Sequence, residues 1–148
     1  MVIPIEITSL HDTEALLRLE HQCFTTDRLK PHQFRHFIRS PTACVFAVKQ
    51  NILITAAAIV LFRKSSRLAR LYSMAVDPCY RKQGIAQALL EAMQAPVIKR
   101  ACTEMRLEVR SDNTAALAFY KKNGYSVFGE YPGFYEDGAP ALRMSKRL

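Results

Sequence analysis

The feature that most constrains this chain is a change of hydrophobic period across residues 77–86. Upstream, residues 43–48, 52–62 and 68–76 are apolar runs of strand length, the first two joined by Lys49-Gln50-Asn51, which suits a hairpin connection. The third run stops at Asp77-Pro78, because proline supplies no ladder donor and biases the residue before it away from helix. From Ile85 the chain is rich in strong helix formers, with Ile85, Leu89 and Met93 on one stripe. A sheet must therefore pass through a short turn directly into a helix, which points to an α/β fold.

The remaining elements follow the same logic. Residues 3–7 alternate as a short strand, and Asp12 or Thr13 caps a helix running through Leu16, Leu19 and Glu20 to Cys23. Pro31 opens a second helix carrying Phe34, Phe37 and Ile38, and residues 24–30 form a polar connection able to border a substrate site. Pro96 should end or kink the helix begun at Ile85, with a short further turn to Ala101. Residues 105–109 read as a strand, 114–122 as a helix closed by Asn123-Gly124, and 125–131 and 139–147 as strands. The order is β-α-α-β-β-β-α-β-α-β-β in a single domain over residues 1–148, with no internal repeat or linker.

A chain of 148 residues buries enough surface to fold without metal or disulfide. Cys23, Cys44, Cys79 and Cys102 form no CxxC pair, which excludes a zinc knuckle and fits free thiols in a reducing cytoplasm. The first residues lack the basic and apolar segments of a signal peptide, and the apolar run 52–62 is too short for a membrane-spanning helix. The formal net charge of +8 is dispersed among several loops with no basic block, so direct nucleic-acid binding is not indicated. His32 and His36 have helical i,i+4 spacing without the glutamate of a zinc protease motif, and no metal is expected.

The turn Arg81-Lys82-Gln83-Gly84-Ile85-Ala86 carries the chemistry. The first N–H groups of a helix have no partner inside it and together make a site for phosphate oxygens. Gly84 lets the backbone approach a ligand without a Cβ in the way, and Arg81 and Lys82 add positive charge. The Gly-rich run and Lys-Ser/Thr pair of a nucleoside-triphosphate loop are absent, as are the three glycines of a dinucleotide fingerprint. Taken alone, the turn is equally an ordinary capped helix after a surface loop.

Arg81-x-x-Gly84-x-Ala86, preceded by Tyr72-Ser73-Met74-Ala75-Val76-Asp77-Pro78, resembles the signature of the GNAT N-acetyltransferases. Leu107-Glu108-Val109-Arg110-Ser111-Asp112-Asn113-Thr114-Ala115-Ala116 and Phe119-Tyr120-Lys121-Lys122-Asn123-Gly124-Tyr125 are similar to the corresponding stretch of the bacterial ribosomal-protein-alanine N-acetyltransferases. The resemblance implies a mixed central sheet flanked by helices, with an acyl-CoA cleft between two splayed parallel strands, here residues 68–76 and 105–109. It implies acetyl-CoA as acyl donor, held by main-chain groups of Met74, Ala75 and Val76, by the backbone from Lys82 through Gln83, Gly84, Ile85 and Ala86 to Gln87, and by Asn113.

By the same resemblance Glu108 takes the place of the general base and Tyr120 that of the proton donor to the leaving sulfur. On a strand Glu108 shares a face with Arg106 and Arg110, so it also reads as an ion-paired surface residue, and the arginines favour a water relay or acceptor positioning over direct base action. Tyr120 also reads as a core aromatic beside Ala116 and Phe119. The acceptor implied is an amine, with a protein N-terminus or ribosomal protein in first place. A small amine such as a polyamine, amino acid or aminoglycoside is the alternative, and an inactive basic RNA- or ribosome-binding protein a third. Residues 131–141 depart from the family's tyrosine-rich loop, although Phe134 and Tyr135 can cover an acceptor pocket and Glu136 and Asp137 can attract an ammonium group.

Overall fold

In the computed structural model, which describes residues 3–148, the chain runs β1 (Ile5–Ile7), α1 (Thr13–Cys23), α2 (Pro31–Arg39), β2 (Ala43–Gln50), β3 (Leu53–Phe62), β4 (Leu68–Val76), α3 (Ile85–Lys99), β5 (Glu104–Arg110), α4 (Thr114–Lys122), β6 (Ser126–Tyr131) and β7 (Ala141–Arg147). Short 3-10 turns, Leu10–Asp12 and Pro78–Tyr80, precede α1 and follow β4. This is the element order expected from the sequence. Met1 and Val2, the start of the domain drawn over residues 1–148, lie outside the described residues.

The strands form one seven-stranded sheet in the order β1-β2-β3-β4-β5-β7-β6. Among the described residues only β4 and β5 pair in parallel, and the parallel step needs a crossover, which α3 supplies. β3 explains the unbroken apolar run, because its alternate residues serve two cores. Ala56, Ala58 and Val60 pack with Leu89, Met93 and Met144 on the α3 side, while Ala57 and Ile59 pack with Leu16, Leu19 and Phe34 on the α1/α2 side. Three consecutive alanines, Ala56 to Ala58, leave room for a helix on each face.

Several helix ends are set by single residues. Pro31 stands in the first turn of α2, and Gly124 takes φ +92° after α4. Asp12 stands at the N-cap position of α1 as expected, but its carboxylate accepts from Ser9 N (2.8 Å) and pairs with Lys49 (2.9 Å) instead of bonding an α1 amide. Pro96 does not end α3. Met93 and Val97 are fully buried on either side of it, and that burial outweighs the hydrogen bond the proline cannot make. The helix closes beyond it, with Cys102 N bonding Val97 O (3.1 Å) and Ala101 N bonding Ile98 O (2.9 Å) around Ala101 at φ +58°.

Ala101 thus holds a left-handed position that costs a residue with a Cβ about 1–2 kcal/mol. Ala101→Gly is expected to stabilise the protein by roughly 0.5–1 kcal/mol after the entropy of glycine is subtracted. Leu89→Ala, which empties a fully buried site behind the helix start, should cost about 2–5 kcal/mol. Urea titrations of both variants check the opposite signs.

Candidate active site

The site begins where β4 and β5 part. Their ladder runs from Leu68 opposite Glu104 to Leu71 opposite Leu107 and stops, although β4 continues to Val76 and β5 to Arg110. A bulge marks the parting: Ile59 faces Ser73 and Val60 faces Leu71, leaving Tyr72 as the extra residue of β4. Beyond it β4 stays paired with β3 as far as Val76, so its other edge opens into the gap. Val76 O points into that gap and accepts from Arg81 Nε (3.1 Å) and Cys23 Sγ (3.4 Å). Strand alternation gives Met74 the same orientation, so its N–H and C=O lie along the open edge, while Ala75 faces β3. Burial pushes the Cys23 thiol up, which keeps it a donor.

At the end of this edge lies the turn into α3. Lys82 at φ +63° and Gly84 at φ +79° swing the backbone so that Gly84 becomes the N-cap, and Ala88 N is bonded to Gly84 O (3.0 Å). The N–H groups of Ile85, Ala86 and Gln87 belong to the open first turn. A Cβ on Gly84 would meet no heavy atom within 4 Å and would project into free space. That space is a hollow of about 510 Å³ lined by Val76, Arg81, Lys82, Gly84, Ala86 and Gln87, among others, with Gln83 outside the lining. The residues present therefore fit a polyanionic ligand. Arg81 differs in part from its expected use, since its Nε is spent on bracing Val76. The Gln87 side chain reaches Glu91 (3.1 Å) and Asn123 (2.8 Å), tying α3 to the end of α4.

Across Val76 the gap widens into a cleft of about 810 Å³ whose lining includes Met74, Glu108, Asn113 and Tyr120. Asn113 caps α4, its carboxamide oxygen accepting from Ala116 N (3.1 Å), which leaves the NH2 end for other partners. Tyr120 is 8% exposed, set edge-on against Phe119 and Tyr125, and burial, reinforced by Tyr125, pushes its phenol well above the ordinary tyrosine range. Burial alone pushes Tyr125 up to about 12. Glu108 does not pair with the arginines beside it on β5. Arg106 is taken by Glu104 and Arg110 by Asp137 (2.8 Å), while Glu108, its side chain 11% exposed, pairs with Arg70 of β4. Arg70 also lies 5.3 Å from the Tyr72 ring centroid, and its Nε–H is buried without a partner.

The connection at residues 24–30 forms one wall of the cleft and Phe134, Tyr135 and Glu136 another, as the sequence suggested. Both oxygens of Asp27 accept from Glu136 N at 3.2 Å, so the two walls touch. Asp137 is spent on Arg110 rather than turned to a ligand. Two lining residues escaped the sequence reading. Arg70 carried no signal beyond strand alternation. Glu20 carried one: it lies on the Leu16–Leu19 stripe of α1, a carboxylate on an apolar face. It is 5% exposed, accepts from Leu29 N (2.8 Å), and desolvation raises its pKa against the opposing Leu29 hydrogen bond and Arg28 charge. Among the described residues no group of three His, Cys, Asp or Glu side chains is placed to hold a metal ion.

A sheet forked between two parallel strands, with a helix N-terminus at the end of the open edge, is the architecture of the GNAT acetyltransferases. The acetyltransferase (GNAT) domain family matches residues 8–148, and the chain belongs to it. Among its relatives is the [ribosomal protein bS18]-alanine N-acetyltransferase of Escherichia coli strain K12, 43% identical over 58 residues, a stretch that covers 39% of each protein. The chain thus spans well under half the length of the curated relative in that match. The crystal structure of the ribosomal-protein-S18-alanine N-acetyltransferase from Escherichia coli superposes with a TM-score of 0.87 at 27% identity, covering 99% of this chain and 94% of that one. The PaiA N-acetyltransferase of Thermoplasma acidophilum, solved with coenzyme A, shares the fold with a TM-score of 0.83 at 18% identity, each chain covered in full.

Glu20 offers a test of the cleft's electrostatics. A carboxyl whose folded pKa is raised contributes its stability below its unfolded value near 4.5 and loses it as pH rises through the folded value. Glu20→Gln keeps an oxygen for Leu29 N and has no charge to desolvate. The stability of the variant relative to wild type should therefore increase from pH 4 to pH 7, as measured by urea unfolding at each pH.

Proposed function

We propose that this chain is a single N-acetyltransferase domain that moves an acetyl group from acetyl-CoA directly to an amine, and that the amine is a protein N-terminal α-amine. One observation carries the reading: the unpaired edge of β4 lies between the first turn of α3 and the cleft lined by Glu108 and Tyr120, with Val76 and Arg81 bordering both hollows. Acetyl-CoA, when bound, supplies the thioester that the amine attacks. The first turn of α3, with Lys82, receives the pyrophosphate, because helix N–H groups and a local cation compensate its charge. The edge at Met74 pairs with the amides of the pantetheine arm as a missing strand would. Asn113 adds the NH2 of its side chain.

Three chemical demands remain: a neutral amine, a polarised carbonyl and a proton for the departing thiolate. Glu108 takes the ammonium proton directly or through a water, and its pair with Arg70 fixes the carboxylate on the cleft wall. Tyr120 carries its proton at neutral pH as any tyrosine does, and burial raises its pKa further, so it stands protonated to donate to the sulfur as the C–N bond forms and the C–S bond breaks. The choice of a protein N-terminus rests on the likeness to the bS18-alanine enzymes. A cytoplasmic setting accords with four cysteines that are all free thiols. None of the described helices is long and apolar enough to cross a membrane.

Coenzyme A release measured across N-terminal peptides and free polyamines, amino acids and aminoglycosides tests the assignment. Peptide acceptors should be used with saturation that depends on their first residues; transfer to free amines alone would replace the N-terminal reading. Tyr120→Phe should reduce kcat about 100-fold while the rise in melting temperature on adding coenzyme A persists. An unchanged kcat on the best acceptor would remove Tyr120 as the proton donor.

A further inference from the structure

Helices α1 and α2 cover one face of the sheet over β2, β3 and β4. On β5, β7 and β6 that same face carries the side chains that share it with Glu108. Register sets Arg106 opposite Ser145, Glu108 opposite Arg143 and Arg110 opposite Ala141, and directly opposed side chains lie on one face about 5 Å apart. Guanidinium and aromatic planes follow one another across it. Arg106 lies 4.9 Å from the Phe128 ring centroid, and Arg143 lies 4.7 Å from Phe128 and 4.5 Å from Tyr131. Tyr131 stacks on Phe134 at 5.4 Å, and Phe134 meets Tyr135, a wall of the cleft, at 5.0 Å. Phe128, Tyr131 and Phe134 are each at least 40% exposed.

Arg143 differs from the other cations of this face. Arg70, Arg106 and Arg110 each have a carboxylate partner, and among the described residues no ion pair includes Arg143. Its position is nevertheless fixed. Its stem crosses Gly129, where an added Cβ would sit 3.6 Å from Arg143 Cδ, and the guanidinium carbon lies over two rings. A guanidinium restrained over two rings, with no carboxylate partner of its own, has N–H donors for a planar anion, and little side-chain entropy is lost when one arrives.

We infer that Arg143 is a specificity-determining residue that receives a carboxylate carried by the acceptor one or two residues beyond the amine. This rests on the reading that Glu108 faces a peptide amine. Cross-strand spacing puts the Cβ of Arg143 about 5 Å from that of Glu108, its guanidinium extends from there over β6, and the Tyr135–Phe134–Tyr131 series connects the cleft wall to it. The charge of the face selects the sign: a basic segment leaving the cleft would meet Arg110, Arg143 and Arg106, whereas an acidic one finds a fixed cation without a partner.

Matched peptides that differ only at the second and third residues, Asp or Glu against Asn or Gln against Lys, are compared by coenzyme A release at low ionic strength. Free aspartate against asparagine forms a parallel arm. Wild type should favour the acidic member over its amide by about tenfold in kcat/KM, expressed in KM, a difference of ~1.4 kcal/mol. Arg143→Met should level the pair without slowing the amide peptides, and Arg143→Glu should turn the preference towards lysine. The coenzyme A-dependent melting shift should be unchanged in both variants, which separates recognition from folding. Equal rates for acidic and amide peptides in the wild type, or a preference that survives both substitutions, overturns the inference. Acetylation of free amines with no peptide used defeats the N-terminal reading by itself, and the aspartate–asparagine pair then decides the role of Arg143. Where neither class turns over, calorimetric titration of the same peptide pairs into the coenzyme A-saturated protein decides it by affinity.

Discussion

Everything in this molecule depends on two parallel strands that hydrogen-bond for part of their length and then separate. A strand edge facing a gap is an unfavourable arrangement unless something else holds both strands in place. Here β3 pairs with β4 past the parting as far as Val76, and β7 pairs with all of β5 from Glu104 to Arg110. The gap therefore lies between two supported edges rather than at the rim of the sheet. The bulge at Tyr72 turns the strand at the point where its partner is lost, and Val76 O is satisfied by Arg81 and Cys23 instead of by a neighbouring strand.

The fold was legible in the sequence where burial imposes a period. The apolar run of β3, the stripe of Ile85, Leu89 and Met93, and Gly124 after α4 each admit few alternatives, and the observed elements follow them. What was not legible arises from contacts distant in sequence. Pro96 reads locally as a break, but Met93 and Val97 are pinned to the sheet and carry the helix through it. Asp12 reads locally as a cap, but Lys49 from β2 and the Ser9 amide claim its carboxylate. The residues proposed for cofactor and catalysis were named through two motif blocks, and most of them line one fork, with Gln83 outside its lining and the Ala75 backbone turned to β3. Motifs could not supply the partner of Glu108, because Arg70 comes from the neighbouring strand and the arginines beside Glu108 are used elsewhere.

The same distinction applies to charge. A formal +8 suggests a basic surface, yet around the cleft most guanidiniums have a partner: Arg70 with Glu108, Arg106 with Glu104 and Arg110 with Asp137. Aromatic rings organise them further, with Phe128, Tyr131 and Tyr135 each beneath at least one arginine. Restrained, mostly compensated cations define directions in which a ligand can be held, whereas a diffuse positive field would only concentrate anions nearby.

The bond between Asp27 and the Glu136 amide joins segments 109 residues apart in the chain and closes a loop of protein around the mouth of the cleft. Two walls held to each other in this way keep their spacing, so the width of the cleft is set by a contact that neither strand of the fork supplies. The link itself is an exposed hydrogen bond, worth about 0.5–1.5 kcal/mol.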